Sequence, residues 1–235
     1  MTAIYRRLDP PRATRTQELT YNKSLDPADY DWLGRGVRLY DALKHSVPCN
    51  IDHPHRRWEY SLALAALLDM SCTDVLEIGS GGSLFAPMAA QAGLAVTVVD
   101  PAERVAWAQA QGEVLGKAIA WHQQDFMTFE LGSYDGVACL SVLEHVRDDR
   151  AFFQRALDQA RRVAVFTVDF SADGSVYSPD HLRTYSPALL YALSEQAVGW
   201  RLLGEPDWRV GEPHVFAYNF ASLVLVREDR WLSMT

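Results

Sequence analysis

The stretch Val75-Leu76-Glu77-Ile78-Gly79-Ser80-Gly81-Gly82-Ser83 sets one carboxylate inside an apolar run and then breaks into glycine and serine. An acid on a buried strand is costly unless something pairs with it. Glycines directly after a strand let a ligand approach backbone N–H groups that no side chain screens. Together they fit a nucleotide-type cofactor with a polar end. Two standard nucleotide loops fail the test, however. The dinucleotide pattern G-x-G-x-x-G needs glycines at 79, 81 and 84, and position 84 is Leu84; a Walker loop needs Gly-Lys-Ser/Thr after its glycines, and none follows.

The elements that must hold this loop follow from periodicity. WEYSLALAALLDM, from Trp58, has Leu62, Ala65, Ala66 and Leu68 at helical spacing, and DVLEI after it reads as a strand. Short alternating segments come next: a helix from Ser83 to Ala92 closed by Gly93, a β-branched strand from Ala95 to Val99, a helix from Pro101 to Gln111, and strands over Ala118–Gln123 and Tyr134–Leu140. A helix over Asp148–Ala160 leads to a strand over Arg161–Val168. Ser186 and Pro187 mark the start of a helix running to Ala197. Two strands near Trp200–Leu203 and His214–Arg227 finish the chain, with too little between them for a crossover helix, so the last is expected to be antiparallel. Strands separated by helix-length segments predict an α/β fold: a doubly wound, Rossmann-like, mostly parallel sheet. Residues 1–57, with their prolines and aromatics, read as an N-terminal helical extension or lid over the active site, and 58–235 as the main domain.

In this order the residues resemble the class I S-adenosylmethionine-dependent methyltransferases, in particular the broad small-molecule group with an E/D-x-G-x-G loop. The resemblance covers roughly residues 58–227 and rests on five blocks in the family's order. These are Val75 to Gly81; Val98-Val99-Asp100-Pro101; Gln124-Asp125-Phe126; Tyr134 to Val146, containing Ser141 and Glu144-His145; and His181 to Pro187. The resemblance implies S-adenosylmethionine as cofactor, bound by Glu77, Gly79, Ser80, Gly81, Asp100, Pro101, Asp125, Phe126 and Ser141. Asp100 would accept the ribose hydroxyls, against the alternative that it caps the next helix. Asp125 would accept from the adenine amino group, against a turn aspartate, with Phe126 giving backbone contact or an apolar wall. Glu77 would lie at the cofactor's ammonium end, against a structural ion pair in the sheet.

Methyl transfer is an in-line displacement, so the protein mainly aligns nucleophile and methyl, and a hydroxyl acceptor also gains from a base. His145 and His181 are the two candidate bases, each against an ordinary scaffold histidine. Arg183 and Tyr185 either bind the acceptor or pin the covering segment. The aromatics Trp32, Tyr40, Trp58 and Tyr60 either stack on a ring or pack. The acceptor class is a small molecule or saccharide, with oxygen as the expected attacking atom. An NAD-dependent oxidoreductase and a non-catalytic S-adenosylmethionine-binding protein are the alternatives.

Composition narrows the field. The 235 residues are 49% hydrophobic, enough for one substantial core, and the formal net charge of -8 disfavours a nucleic-acid partner. Residues 1–60 carry 10 basic against 8 acidic side chains and the remainder 12 against 22, so the leading segment is mildly basic and the body acidic. No apolar run has the length of a membrane span, and the first residues lack a signal-peptide pattern, so a cytoplasmic protein without membrane association is expected. Cys49, Cys72 and Cys139 are too sparse for a disulfide framework. His53-Pro54-His55 offers two imidazoles with no third ligand by spacing, so no metal is expected. Oligomeric state has no signature here.

Overall fold

The computed structural model describes residues 20–49, 55–102, 105–130, 132–175, 181–209 and 219–231. A 3-10 turn at Pro27–Asp31, N-capped by Asp26, precedes α1 (Gly34–Leu43) and α2 (Arg56–Asp69). The alternating part then runs β1 (Asp74–Ile78), α3 (Phe85–Ala92), β2 (Ala95–Asp100), α4 (Val105–Leu115), β3 (Ile119–Gln123) and β4 (Tyr134–Leu140). A 3-10 turn at Leu143–His145 leads to α5 (Asp149–Gln159), β5 (Ala160–Phe170), α6 (Pro187–Gln196), β6 (Trp200–Leu202), β7 (Asn219–Arg227) and α7 (Glu228–Trp231).

The seven strands form one sheet in the order β3-β2-β1-β4-β5-β7-β6. All pairings from β3 to β5 are parallel, while β7 runs antiparallel to both β5 and β6, as expected of the last strand. The order reverses between β1 and β4, which opens a crevice at their carboxyl ends, the position where open α/β sheets take ligands. Two buried clusters cover the two faces. Val75, Val98, Ala138 and Val165 pack against α1, α2 and α3 on one face, whereas Leu76, Val99, Cys139 and Phe166 pack against α5 and α6 on the other. Alternation along β1 puts Glu77 on the α3 face, between Val98 and Ala138.

Several boundaries differ from the sequence expectation: α3 starts at Phe85 rather than Ser83, and β5 runs Ala160–Phe170 rather than Arg161–Val168. The helix expected over Pro101–Gln111 spans Val105–Leu115. The Asp100 side chain accepts the Ala102 N–H in a local turn, which delays the start. Gly112 does not stop it, and the chain leaves the helix at Gly116 with φ 60°. The last strand is described from Asn219; the expected residues 214–218 lie outside the described set. Ser186 caps α6 as expected, Asp148, expected inside the helix, caps α5, and Gly93 closes α3 at φ 104°.

Residues 20–49 join the same core as α2 and α3. Tyr21, Leu33, Val37, Tyr40 and Leu43 are buried there, and Gly36 lies so close to Ser61 that a Cβ would meet its Cα at 2.6 Å. Among the described residues no helix is long and apolar enough to cross a membrane.

Candidate functional site

The loop after β1 is built around positive-φ glycines. Gly79 (φ 70°) donates to the Val99 carbonyl at 2.8 Å, and a Cβ there would meet Val142 Cγ2 at 2.7 Å. Gly81 (φ 60°) donates to Asp100 Oδ2 at 2.6 Å. L-residues avoid this region of φ, so the loop's tight course and its close approach to Val142 both need glycine. Ser80 Oγ accepts the Ser83 N–H at 3.2 Å. Ser83 Oγ accepts the Phe85 N–H at the start of α3 and donates to Glu77 Oε1 at 2.5 Å.

Glu77 is 1% exposed, and its Oε2 is a buried acceptor without a hydrogen-bond partner. Burial pushes its carboxyl up to about 7; the Asp100 charge adds to the rise, and the hydroxyls of Ser83 and Ser80 with the Ala86 N–H oppose it. An orphaned carboxylate oxygen beside a bare backbone loop is what a cationic ligand end would satisfy. Asp100 does two jobs at once. Oδ2 ties down Gly81, and Oδ1 accepts Ala102 N–H at 2.7 Å, leaving each oxygen a further lone pair for a hydroxyl donor. Pro101 beside it is exposed.

Gln124 N–H donates to the Asp100 carbonyl at 3.1 Å, which brings the turn after β3 to the end of β2. Asp125 in that turn is exposed and accepts the Met127 N–H at 2.8 Å, a local turn bond compatible with a further donor. The Phe126 ring is buried in the core 4.8 Å from that of Phe152, and its carbonyl accepts from Arg155.

Ser141, just past β4, adopts φ 51°. Its N–H donates to the Thr167 carbonyl, and its Oγ donates to Glu59 Oε1 at 2.6 Å. Glu59 is fully buried on α2; burial alone would raise its carboxyl, but Arg56, His55 and the Ser141 and Thr167 hydroxyls outweigh burial and hold it below the usual range. Arg56 Nη1 donates to Glu59 Oε2 at 2.8 Å. His55 lies 3.6 Å from the same oxygen and stacks on Phe220 with ring centroids 3.8 Å apart. Of the other residues in the expected imidazole pair, His53 falls outside the described set; among the described residues no group of three His, Cys, Asp or Glu is placed to hold a metal.

His145 and His181, 36 positions apart, come together edge-on with ring centroids 4.6 Å apart. His181 Nδ1 lies against Asp169 Oδ2. The segment carrying His181 is pinned from both sides. Leu182 N–H donates to the Glu144 carbonyl at 2.8 Å, Arg183 donates to the Val146 and Arg147 carbonyls, and Tyr185 donates its hydroxyl to Asp149 at 2.7 Å. Arg183 and Tyr185 thus serve as pins. Trp58, Tyr40 and Tyr60 are buried packing residues, with Trp58 Nε1 donating to Asp29 at 2.8 Å.

Sequence reasoning gave no individual role to Glu59, Arg56, Glu144 or Asp169. Asp169 carried a legible signal, since VAVFTVDF is an apolar strand with one carboxylate, the feature that singled out Glu77. Glu59 had none, because glutamate is an ordinary helix former.

Residues 76–165 match the family model described as methyltransferase domain. A ubiquinone biosynthesis O-methyltransferase from Xanthomonas oryzae pv. oryzae (strain PXO99A) is 34% identical over 121 residues, 50% of this chain and 49% of that protein. One of the same description from Bordetella avium (strain 197N) is 30% identical over 133 residues, 54% of each. The matched stretch therefore spans about half the length of these curated relatives. Among solved structures, magnesium protoporphyrin IX methyltransferase from Synechocystis PCC 6803 with bound SAM superposes with TM-score 0.55 at 20% identity, covering 87% of this chain and 99% of that one. The Burkholderia thailandensis 1,6-didemethyltoxoflavin-N1-methyltransferase gives TM-score 0.58 at 19% identity over 86% and 91%. At these identities the likeness is one of fold.

Proposed function

We propose that this chain, which belongs to the class I S-adenosylmethionine-dependent methyltransferases, moves a methyl group to an oxygen of a small-molecule acceptor, a phenol or a saccharide hydroxyl. The observation that carries the cofactor assignment is the unpartnered Glu77 Oε2, buried beside the glycine loop at the sheet's crevice. Glu77 takes the cofactor's ammonium, and Gly79, Ser80, Gly81 and Ser141 line the amino-acid end. Asp100 accepts the ribose hydroxyls with the lone pairs its backbone bonds leave, and Pro101 flanks it. Asp125 and the Phe126 backbone meet the adenine. A role of the leading segment on the acceptor side is supported by His55 and Arg56, which reach Glu59, the residue that accepts from Ser141 past β4.

Bound S-adenosylmethionine supplies a methyl carbon already activated by its sulfonium. The chain's own work is alignment and proton removal, with His145 or His181 taking the acceptor's hydroxyl proton. The choice of oxygen is supported by the O-methyltransferase descriptions of the curated relatives and by this histidine pair.

Calorimetric titration with S-adenosylhomocysteine, with NAD as control, tests the cofactor assignment. Micromolar binding of the first alone is expected, with Asp100→Ala weakening it at least tenfold; binding of NAD, or of neither, sinks the assignment. Screening then starts with phenols and sugars as acceptors.

A further inference from the structure

We infer that Asp169 is the positioning residue of a two-histidine proton path, fixing the His181 tautomer so that His181 is the base and His145 its outlet to solvent. The inference rests on the methyltransferase reading and goes beyond it by separating the roles of the two histidines.

Asp169 sits near the carboxyl end of β5, 2% exposed, with Oδ2 against His181 Nδ1. The two atoms touch without meeting in hydrogen-bond geometry; once they align, an ionised carboxylate can only accept, which places the neutral ring's single N–H on Nδ1 and the basic lone pair on Nε2. The geometry is imposed from outside the pair. Tyr185 N–H donates to the Asp169 carbonyl and Ser171 N–H to the Tyr185 carbonyl, both at 2.8 Å, while Leu182 N–H is held by Glu144. These bonds fix the His181 segment to β5 on one side and to the 3-10 turn bearing His145 on the other. That turn is coupled to the cofactor loop, since Val142 packs against Gly79. His145 is exposed, whereas the His181 side chain is only 14% exposed, so the proton's outward direction is from His181 to His145.

Glu144, next to His145 on the 3-10 turn, has Asp169 from β5 and Arg56 and Glu59 from α2 around it, with His55 beside Glu59. Glu144 is fully buried, with neither carboxylate oxygen hydrogen-bonded. Burial and the Asp169 charge push its carboxyl well above the usual range. In the step itself the acceptor O–H bond breaks and its proton goes to His181 Nε2. The acceptor oxygen bonds the methyl carbon as the sulfur keeps the electron pair of the broken S–C bond. The proton then leaves through His145, so one proton is released per methyl transferred.

The test is a long-range 1H–15N correlation of the whole chain, labelled with 15N-histidine and saturated with S-adenosylhomocysteine, with His145→Gln and His181→Gln for assignment. In the wild type the neutral His181 ring should carry its proton on Nδ1. In Asp169→Asn the tautomer should shift towards Nε2–H, and the ring's proton affinity should fall by about tenfold or more, one unit on the pH axis. A wild-type His181 protonated on Nε2, or an Asp169→Asn protein with unchanged tautomer and titration, overturns the inference. Should Asp169→Asn not fold, the wild-type spectrum alone decides, with Asp169→Glu expected to restore the Nδ1–H form. Calorimetry on the same samples keeps the two readings apart. Loss of S-adenosylhomocysteine binding by the wild type sinks the cofactor reading, whereas intact binding with the wrong tautomer sinks only the role of Asp169.

Discussion

Glu77 is the residue where stability and binding oppose each other. Its carboxyl titrates at about 7 in the folded protein, above its ordinary value, so the folded state holds the proton more tightly than the unfolded chain does. The sign follows from linkage: stability is full below the unfolded value near 4.5 and is lost as pH rises towards 7, by at most about 3 kcal/mol. Glu77→Gln should therefore match the wild type in urea melts at pH 5 and exceed it at pH 8, in the ligand-free protein. The same variant should bind S-adenosylhomocysteine at least tenfold more weakly. Wild-type binding at pH 6 should also release close to one proton, read from the dependence of calorimetric heat on buffer ionisation enthalpy. No buffer dependence at that pH would mean that the ligand's ammonium does not meet Glu77. This residue was legible because an acid in VLEI has no apolar excuse. Asp169 was equally legible as an anomaly, but its partner was not, since only the pinned return of the chain after β5 brings His181 to it.

At the scale of elements, the site depends on two loops that share one contact. Gly79 holds φ 70°, and its bare Cα faces Val142, the residue before the 3-10 turn that carries His145. Gly79→Ala would force a residue with a Cβ into left-handed backbone, costing on the order of 1–2 kcal/mol, and would push Val142 aside. The expected outcome is a folded protein with a lower melting temperature and at least tenfold weaker S-adenosylhomocysteine affinity. A full-affinity Gly79→Ala protein would show that the two loops move independently. Periodicity revealed nearly every element here, because strands covered on both faces read as continuous apolar runs and helices carry their own spacing. The start of α4 escaped it, since the Asp100 side chain takes the Ala102 N–H and holds the chain in a turn first. The left-handed Ser141 escaped it too, because the Glu59 hydrogen bond that steadies it comes from a helix 82 positions earlier.

On the scale of the whole molecule, the leading segment is tied to the far end of the chain. β6 pairs with only the last part of β7, and residues 21–25 continue the ladder from there. Tyr21 N–H donates to the Leu203 carbonyl, Ser222 N–H to the Lys23 carbonyl and Leu25 N–H to the Phe220 carbonyl. Asn22, fully buried, donates through Nδ2 to the Leu203 carbonyl at 3.0 Å and accepts the Val224 N–H at 2.7 Å. Partners 181 and 202 positions away leave no trace in YNKSLDP, so periodicity suggested an appendage where the hydrogen bonds make a structural strap. Asn22→Ala strands the Val224 N–H in the core, at a cost of about 1–3 kcal/mol, while Leu203 O keeps its bond from Tyr21. Because residues 20–49 and α2 share one cluster with the sheet, that loss should fall on the whole domain. Urea unfolding followed by tryptophan fluorescence, with Trp32 and Trp58 near the strap and Trp200 on the other face of the sheet, should give one transition that coincides with far-UV circular dichroism and shifts to lower urea in Asn22→Ala. Two separated transitions, with the strap released first, would make the leading segment an independent cover over an otherwise intact sheet.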